Sequence, residues 1–171
     1  GLTARDLDGD GDLDVAVTCN SSAQVRILRN NGGTLSVSST LAVGSLPESV
    51  VALDIDQDGD LDLAVSNLSN NNISILQNDG TATFTALSTL PLQGGFVYDL
   101  AVGDFNQDGI SDLVVGNSNV FDEVMVYLSN GNGTFQTRVD IQFSPSTSAT
   151  GGGIAVADLN GDGFQAMPAR M

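Results

Sequence analysis

Apolar and β-branched residues fall in short runs that Gly, Asn, Asp and Pro interrupt. The pattern is clearest from Ser49 to Leu90. "SVVALDI" (Ser49–Ile55) leads into an acidic stretch, and "LDLAVSN" (Leu61–Asn67) leaves it. An Asn-rich turn "LSNNN" (Leu68–Asn72) precedes "ISILQN" (Ile73–Asn78). The turn "DGT" then leads to "ATFTALSTL" (Ala82–Leu90). Runs rich in Val, Ile, Leu, Thr and Phe between such turn residues predict a four-stranded antiparallel sheet. The same plan returns as "LVVGN" (Leu113–Asn117), "EVMVYLSN" (Glu123–Asn130), "GNGT" and "FQTRVDIQF" (Phe135–Phe143). Helical 3.6-residue periodicity is not sustained anywhere.

The acidic stretches repeat with the strands. They read "RDLDGDGDLDVAV" (Arg5–Val17), "LDIDQDGDLDLAV" (Leu53–Val65), "GDFNQDGISDLVV" (Gly103–Val115) and "ADLNGDGFQAM" (Ala157–Met167). Their first aspartates are 48, 50 and 54 residues apart (Asp6, Asp54, Asp104, Asp158). A period of about 50 residues with four strands per repeat describes a propeller blade. The expected fold is therefore all-β, a single repeat domain over 1–171 of four-stranded blades. The repeats run approximately 1–48, 49–97 and 98–152, with a partial fourth at 153–171. Propellers have about four to eight blades. The fourth unit loses its pattern at "FQAMPARM" (Phe164–Met171), so the expectation is a fragment of a longer protein or an open arc. The exposed end sheets of such an arc favour pairing with further blades or self-association.

Within each loop, positions are counted from its first Asp. Positions 1, 3 and 5 are Asp6, Asp8 and Asp10, then Asp54, Asp56 and Asp58. They continue as Asp104, Asn106 and Asp108, then Asp158, Asn160 and Asp162. Position 6 is always Gly (Gly11, Gly59, Gly109, Gly163), which supplies the positive φ that wraps a chain around an ion. Position 9 is Asp14, Asp62 and Asp112, and Ala166 in the last unit. Hard carboxylate and amide oxygens select a hard cation, and six to eight of them at about 2.3–2.6 Å suit Ca²⁺ better than Mg²⁺. Position 7 is chemically indifferent (Asp12, Asp60, Ile110, Phe164), so its backbone carbonyl is the expected ligand. Position 2 is apolar throughout (Leu7, Ile55, Phe105, Leu159), an anchor expected to pin each loop to its blade.

An EF-hand shares the opening D-x-[DN]-x-[DN]-G but needs a Glu at position 12 and flanking helices. Position 12 here is Val17, Val65 and Val115, inside strand-like runs, so that reading fails. A merely acidic turn would not return Asp at position 9 in three units.

The loop D-x-[DN]-x-D-G-x-x-D, the exit strands "DLAV" (Asp62–Val65) and "DLVV" (Asp112–Val115), and the turn "NGNGTF" (Asn130–Phe135) resemble the FG-GAP/VCBS repeat family. Integrin α-subunit propellers are its best-known members. The resemblance covers nearly the whole chain. It implies Ca²⁺ in a hairpin loop between the first two strands of each blade, held by positions 1, 3, 5 and 9. It also implies an extracellular propeller serving adhesion or ligand recognition. The Phe-Gly and Gly-Ala-Pro signatures of the integrin branch are not intact, which places a microbial VCBS-type protein nearer.

Charge narrows the function classes. The 171 residues carry 21 acidic side chains against five basic ones, a formal charge of −16, and fifteen of the acids lie in the four loops. That balance disfavours nucleic acid and anionic membranes, whose phosphates need cationic partners. No run approaches the roughly 18 apolar residues of a membrane helix. Lacking His and Lys, the chain has no His-based triad, zinc–His site or Schiff-base lysine. Cys19, alone, forms no intrachain disulfide and reads as a small half-buried hydrophobe.

The expected partner is a protein or glycan, met by loops such as "NSSAQ" (Asn20–Gln24), "LSNNN" and "NSNVFDE" (Asn117–Glu123). Sequons stand at Asn20, Asn67, Asn72 and Asn132. A polysaccharide hydrolase or lyase would need paired carboxylates, and most carboxylates are committed to the loops. A lectin would need aromatic platforms, against which stand no Trp and only Tyr98 and Tyr127 beside seven Phe.

Overall fold

A computed structural model describes residues 1–92, 96–118, 123–142 and 153–158. Its architecture is all-β, three four-stranded antiparallel sheets whose strands neighbour one another in chain order. The first sheet comprises β1 (Leu2–Arg5), β2 (Asp14–Cys19), β3 (Gln24–Asn31) and β4 (Thr34–Ala42). The second comprises β5 (Pro47–Leu53), β6 (Asp62–Asn67), β7 (Asn72–Asn78) and β8 (Phe84–Pro91). The third comprises β9 (Phe96–Gly103), β10 (Asp112–Ser118), β11 (Glu123–Tyr127) and β12 (Val139–Gln142).

The strand plan read from the apolar runs holds, with shifted ends. β5 begins at Pro47 and stops at Leu53, because the backbone of Asp54 and Ile55 already belongs to the acidic loop. In the third unit "FQTRVDIQF" supplies a strand only from Val139, and Phe135 makes a single bridge to Ser129. A register shift recurs at matching places, between Ile27 and Leu28 against β4 and between Ser74 and Leu76 against β8. Such bulges raise local twist and turn the outermost strand.

The second sheet is buried on both faces, so every residue of β6 is buried. Period-2 alternation sends Leu63 and Val65 to one side, where they meet Ala16, Val25 and Ile27 of the first sheet. Ala64 faces the other way with Ile73 and Ile75, against Leu113, Val115 and Met125 of the third sheet. A strand buried on both faces loses the apolar–polar alternation of a half-exposed one, as "LAV" illustrates.

The seams also carry polar stitches. Ser49 Oγ on β5 donates to Asp99 Oδ1 on β9 (2.9 Å). The backbone N–H of Ile154 donates to Asp99 Oδ2 (2.8 Å), joining the 153–158 segment to the third sheet. Asp99, one of the few acids outside the loops, is thus an inter-sheet fastener.

Leu63 is fully buried in the first seam, whereas Val37 on β4 is 57% exposed. Leu63→Ala is expected to cost about 2–5 kcal/mol by leaving a cavity, and Val37→Ala within about 0.5 kcal/mol. Urea unfolding of the two variants against wild type measures both.

Candidate metal loops

Each of the first three acidic loops joins the first two strands of its sheet, and the pairing that closes it is the same in all three. Arg5 pairs Asp14, Leu53 pairs Asp62, and Gly103 pairs Asp112. Position 9 therefore opens the second strand, and its carboxylate points back under the loop.

All three position-9 carboxylates are buried and do one job. Asp62 Oδ2 accepts the N–H of Ile55 (2.9 Å), and its Oδ1 accepts that of Asn78 (2.7 Å). Asp14 takes the N–H groups of Leu7 (3.1 Å) and Asn30 (2.8 Å). Asp112 takes those of Phe105 and Ser129, both at 2.9 Å. Each thus ties the position-2 backbone to the end of the third strand or the residues just beyond it. Burial pushes the Asp62 carboxyl up to about 6, against the opposing pull of its two backbone donors. Burial raises Asp112 as well.

Position 1 folds the loop. Asp6 accepts from the N–H of Gly9 (2.8 Å) and Gly11 (3.0 Å), and Asp54 from Gln57 (2.7 Å) and Gly59 (3.2 Å). Asp104 accepts from Gln107 (2.7 Å), Asp108 (3.2 Å) and Gly109 (2.9 Å). The position-6 glycines have φ of +92°, +96° and +83° for Gly11, Gly59 and Gly109, as the sequence pattern required. Position 4 is left-handed too, at Gly9 (+74°), Gln57 (+61°) and Gln107 (+63°). Non-Gly residues enter that region reluctantly. The sequence carries no mark of it beyond Gly9.

Positions 3 and 5 continue the wrap. Asp8 Oδ1 accepts from Asp10 N (3.2 Å), and Asn106 Oδ1 from Asp108 N (3.1 Å). Position-5 carboxylates Asp10, Asp58 and Asp108 each accept the N–H of position 7, at 2.8, 3.0 and 2.9 Å. The position-7 side chains lie against the turn after the third strand. Asp12 accepts from Gly32 N (2.9 Å), while Asp60 lies beside Gly80 and Ile110 beside Gly131. Asp60 is raised by removal from water and by repulsion from Asp58 and Asp54.

Asp6, Asp8 and Asp14 offer carboxylate oxygens that all lie within 4.8 Å of one another, as do Asp54, Asp56 and Asp58. Within the second group, Asp56 Oδ1 is buried without a hydrogen-bond partner. A hard cation would satisfy such an oxygen. The donor set fits one, and the acidic clusters could hold a metal ion. In the third loop the Asn106 amide donates to Asp108 Oδ2 (2.7 Å), partnering one oxygen of that loop. In the fourth, Asp158 is exposed, and Asn160 and Asp162 lie outside the described residues.

Position 2 is anchored to its own sheet through the position-9 carboxylate, and it also reaches the next sheet. Leu7 sits in the seam between the first and second sheets, and its carbonyl accepts from Asn78 Nδ2 (2.8 Å) and Ala82 N (3.1 Å). The Ile55 carbonyl accepts likewise from Gly133 N (3.2 Å) and Ser129 Oγ (3.4 Å) of the third sheet. The loop is thereby pinned to the next sheet as well. Asn78 and Ser129 are functional residues the sequence pattern did not single out.

Away from the loops, a groove of about 450 Å³ runs between β8 and the outer part of the third sheet. Pro91, Tyr127, Phe135, Arg138 and Asp140 line it. Arg138 is paired with Asp140 (Nε–Oδ1 2.9 Å), and Tyr127 meets Phe135 edge-on at 6.4 Å.

The geometry defines a repeat protein of blade-like sheets with an acidic loop in each. The chain belongs to the FG-GAP-like repeat family, which matches at residues 6–65, 54–115 and 104–165. No curated protein matches it in sequence. Among solved structures, BBS1N in complex with ARL6DN, soaked with lead, aligns with a TM-score of 0.63 at 16% identity. That alignment covers 92% of this chain and 46% of the other. The Photorhabdus luminescens Tc holotoxin pore aligns with a TM-score of 0.56 at 18% identity, over 97% of this chain and 8% of the other. This chain thus spans less than half the length of either, and the likeness is one of fold, β-propeller-like.

Asp62→Ala strands two buried backbone N–H groups and is expected to cost about 1–3 kcal/mol for each, while exposed Asp58→Ala changes stability far less; denaturant titration in chelator compares them. The pH dependence follows from Asp62. Its carboxyl titrates at about 6 in the fold against an ordinary 3.8, so between these values the native state holds the extra proton. Stability in chelator should therefore rise as pH falls from about 6 toward 4, and melting temperatures at pH 7 and pH 5 check the sign.

Proposed function

We propose that this chain is a calcium-binding repeat module of a secreted or cell-surface protein, serving adhesion or ligand binding, with Ca²⁺ stabilising each blade. The observation that carries the reading is the convergence of carboxylate oxygens at Asp6, Asp8 and Asp14 and at Asp54, Asp56 and Asp58, with Asp56 Oδ1 buried and unpartnered. FG-GAP repeats often bind Ca²⁺, are generally non-catalytic and typically occur in extracellular or surface proteins. No helix among the described residues is long and apolar enough to cross a membrane.

The ligand set of the reading is positions 1, 3, 5 and 9 with the carbonyl at position 7, in three loops and a fourth at Asp158. The repeats 1–48, 49–97, 98–152 and 153–171 act in it as one domain. Bound cation would neutralise aspartates that otherwise repel across each loop. It would thereby hold the position-2 carbonyl against the neighbouring sheet. The partner is a protein or a glycan, and the groove beside Tyr127 and Phe135 is a surface for it. Among the described residues that line the groove there is one carboxylate, Asp140, which is committed to Arg138. Paired-carboxylate hydrolysis needs two, so the reading is of a binding module and not an enzyme.

With free Ca²⁺ tenfold above Kd, each occupied site adds about 1.4 kcal/mol, and three add roughly 4 kcal/mol. The melting temperature should be higher in millimolar Ca²⁺ than in chelator, by scanning calorimetry, and coincident curves would sink the reading.

A further inference from the structure

In the first and second sheets one side chain of the third strand bears on position 3 of the loop, and this contact differs between the two. The position-9 clamp identifies the equivalent residues. Asn30, Asn78 and Ser129 donate their N–H groups to Asp14, Asp62 and Asp112, so the residues just before them correspond: Arg29, Gln77 and Leu128. Arg29 donates from Nε to Asp8 Oδ2 (2.6 Å), and a second guanidinium nitrogen meets the same oxygen. Gln77 donates from Nε2 to Asp56 Oδ2, a neutral amide in the same place. In the third sheet the equivalent residue is Leu128, and position 3 is the uncharged Asn106.

The charge balance at positions 1, 3, 5 and 9 follows. The first loop has four aspartates and a resident guanidinium, the second four aspartates and no cation, and the third three aspartates and an amide. The Asp8 side chain is 4% exposed and that of Arg29 36%, so the pair is partly buried and screened less than a surface pair. Asp56 has its Oδ1 buried without a partner. Only five cationic side chains stand in the whole chain, and one of them is spent inside an acidic loop.

We infer that Arg29 is a resident counter-ion of the first loop and makes the loops unequal. It holds Asp8 in place without metal and repels an incoming cation. The first loop therefore keeps its shape unaided and binds Ca²⁺ more weakly than the second, which has only Gln77 and depends on the ion. The inference rests on the calcium reading above and adds to it the residue that ranks the sites.

Reciprocal exchanges test it. Arg29→Gln copies the second sheet into the first, and Gln77→Arg does the reverse. Isothermal calorimetry with CaCl₂ and melting in EDTA are read for both variants and for wild type. Arg29→Gln should tighten one site about tenfold and lower the melting temperature in EDTA by about 2–4 °C. Gln77→Arg should weaken one site and raise the EDTA melting temperature. Exchanges that move neither quantity, or move both variants in the same direction, overturn the role of Arg29 while leaving calcium binding intact. A wild-type protein that binds no Ca²⁺ overturns the calcium reading, and this inference with it.

Discussion

Much of the architecture depends on a buried carboxylate that accepts two backbone N–H groups. Asp14, Asp62 and Asp112 each stand at the start of a second strand and bind one donor from the loop and one from the far end of the third strand. A strand pairing alone leaves an eight-residue hairpin loop free to splay, because its N–H groups find no ladder partner. The clamp supplies those partners where water cannot. Burying a carboxylate is costly unless it is hydrogen-bonded, and two donors offset much of that cost without removing it. The residue that orders the loop is therefore also the one whose charge is hardest to keep, and Asp62 shows this in its raised titration.

The clamp also governs how sheets meet. It fixes Asn78, whose side chain then reaches the Leu7 carbonyl of the preceding sheet, and Ser129, which does the same for Ile55. Loop order and inter-sheet packing are thus two ends of one hydrogen-bonded chain. Disturbing the acidic loop of one sheet disturbs its contact with the next, so a cation effect on any loop would be felt along the array, as nearest-neighbour coupling in repeat proteins implies.

Repetition does not make the loops equivalent. The backbone wrap is common to all three, yet the group that meets position 3 from outside the loop is a cation at Asp8 (Arg29) and a neutral amide at Asp56 (Gln77). Charge interactions of this kind act through space, so a single strand residue modifies a loop about 20 residues away in sequence. Such interactions are strong only where water is excluded.

Local and periodic features were legible in the chain itself. Strand type follows from period-2 apolar runs, and the loop's shape from the spacing of Asp6, Asp8, Asp10, Gly11 and Asp14, since those relations lie within nine residues and recur. Position 6 had to be glycine for the same local reason, and its positive φ is observed three times. Relations between distant residues were not legible. Asn78 meets Leu7 across 71 positions and Ser129 meets Ile55 across 74, and no composition or period marks them. The position-2 residues read as anchors to their own sheet because sequence shows only that they are apolar. Tertiary structure added their second attachment, to the next sheet, since that depends on where a neighbouring strand ends in space. It likewise decided that Arg29 meets the Asp8 carboxylate.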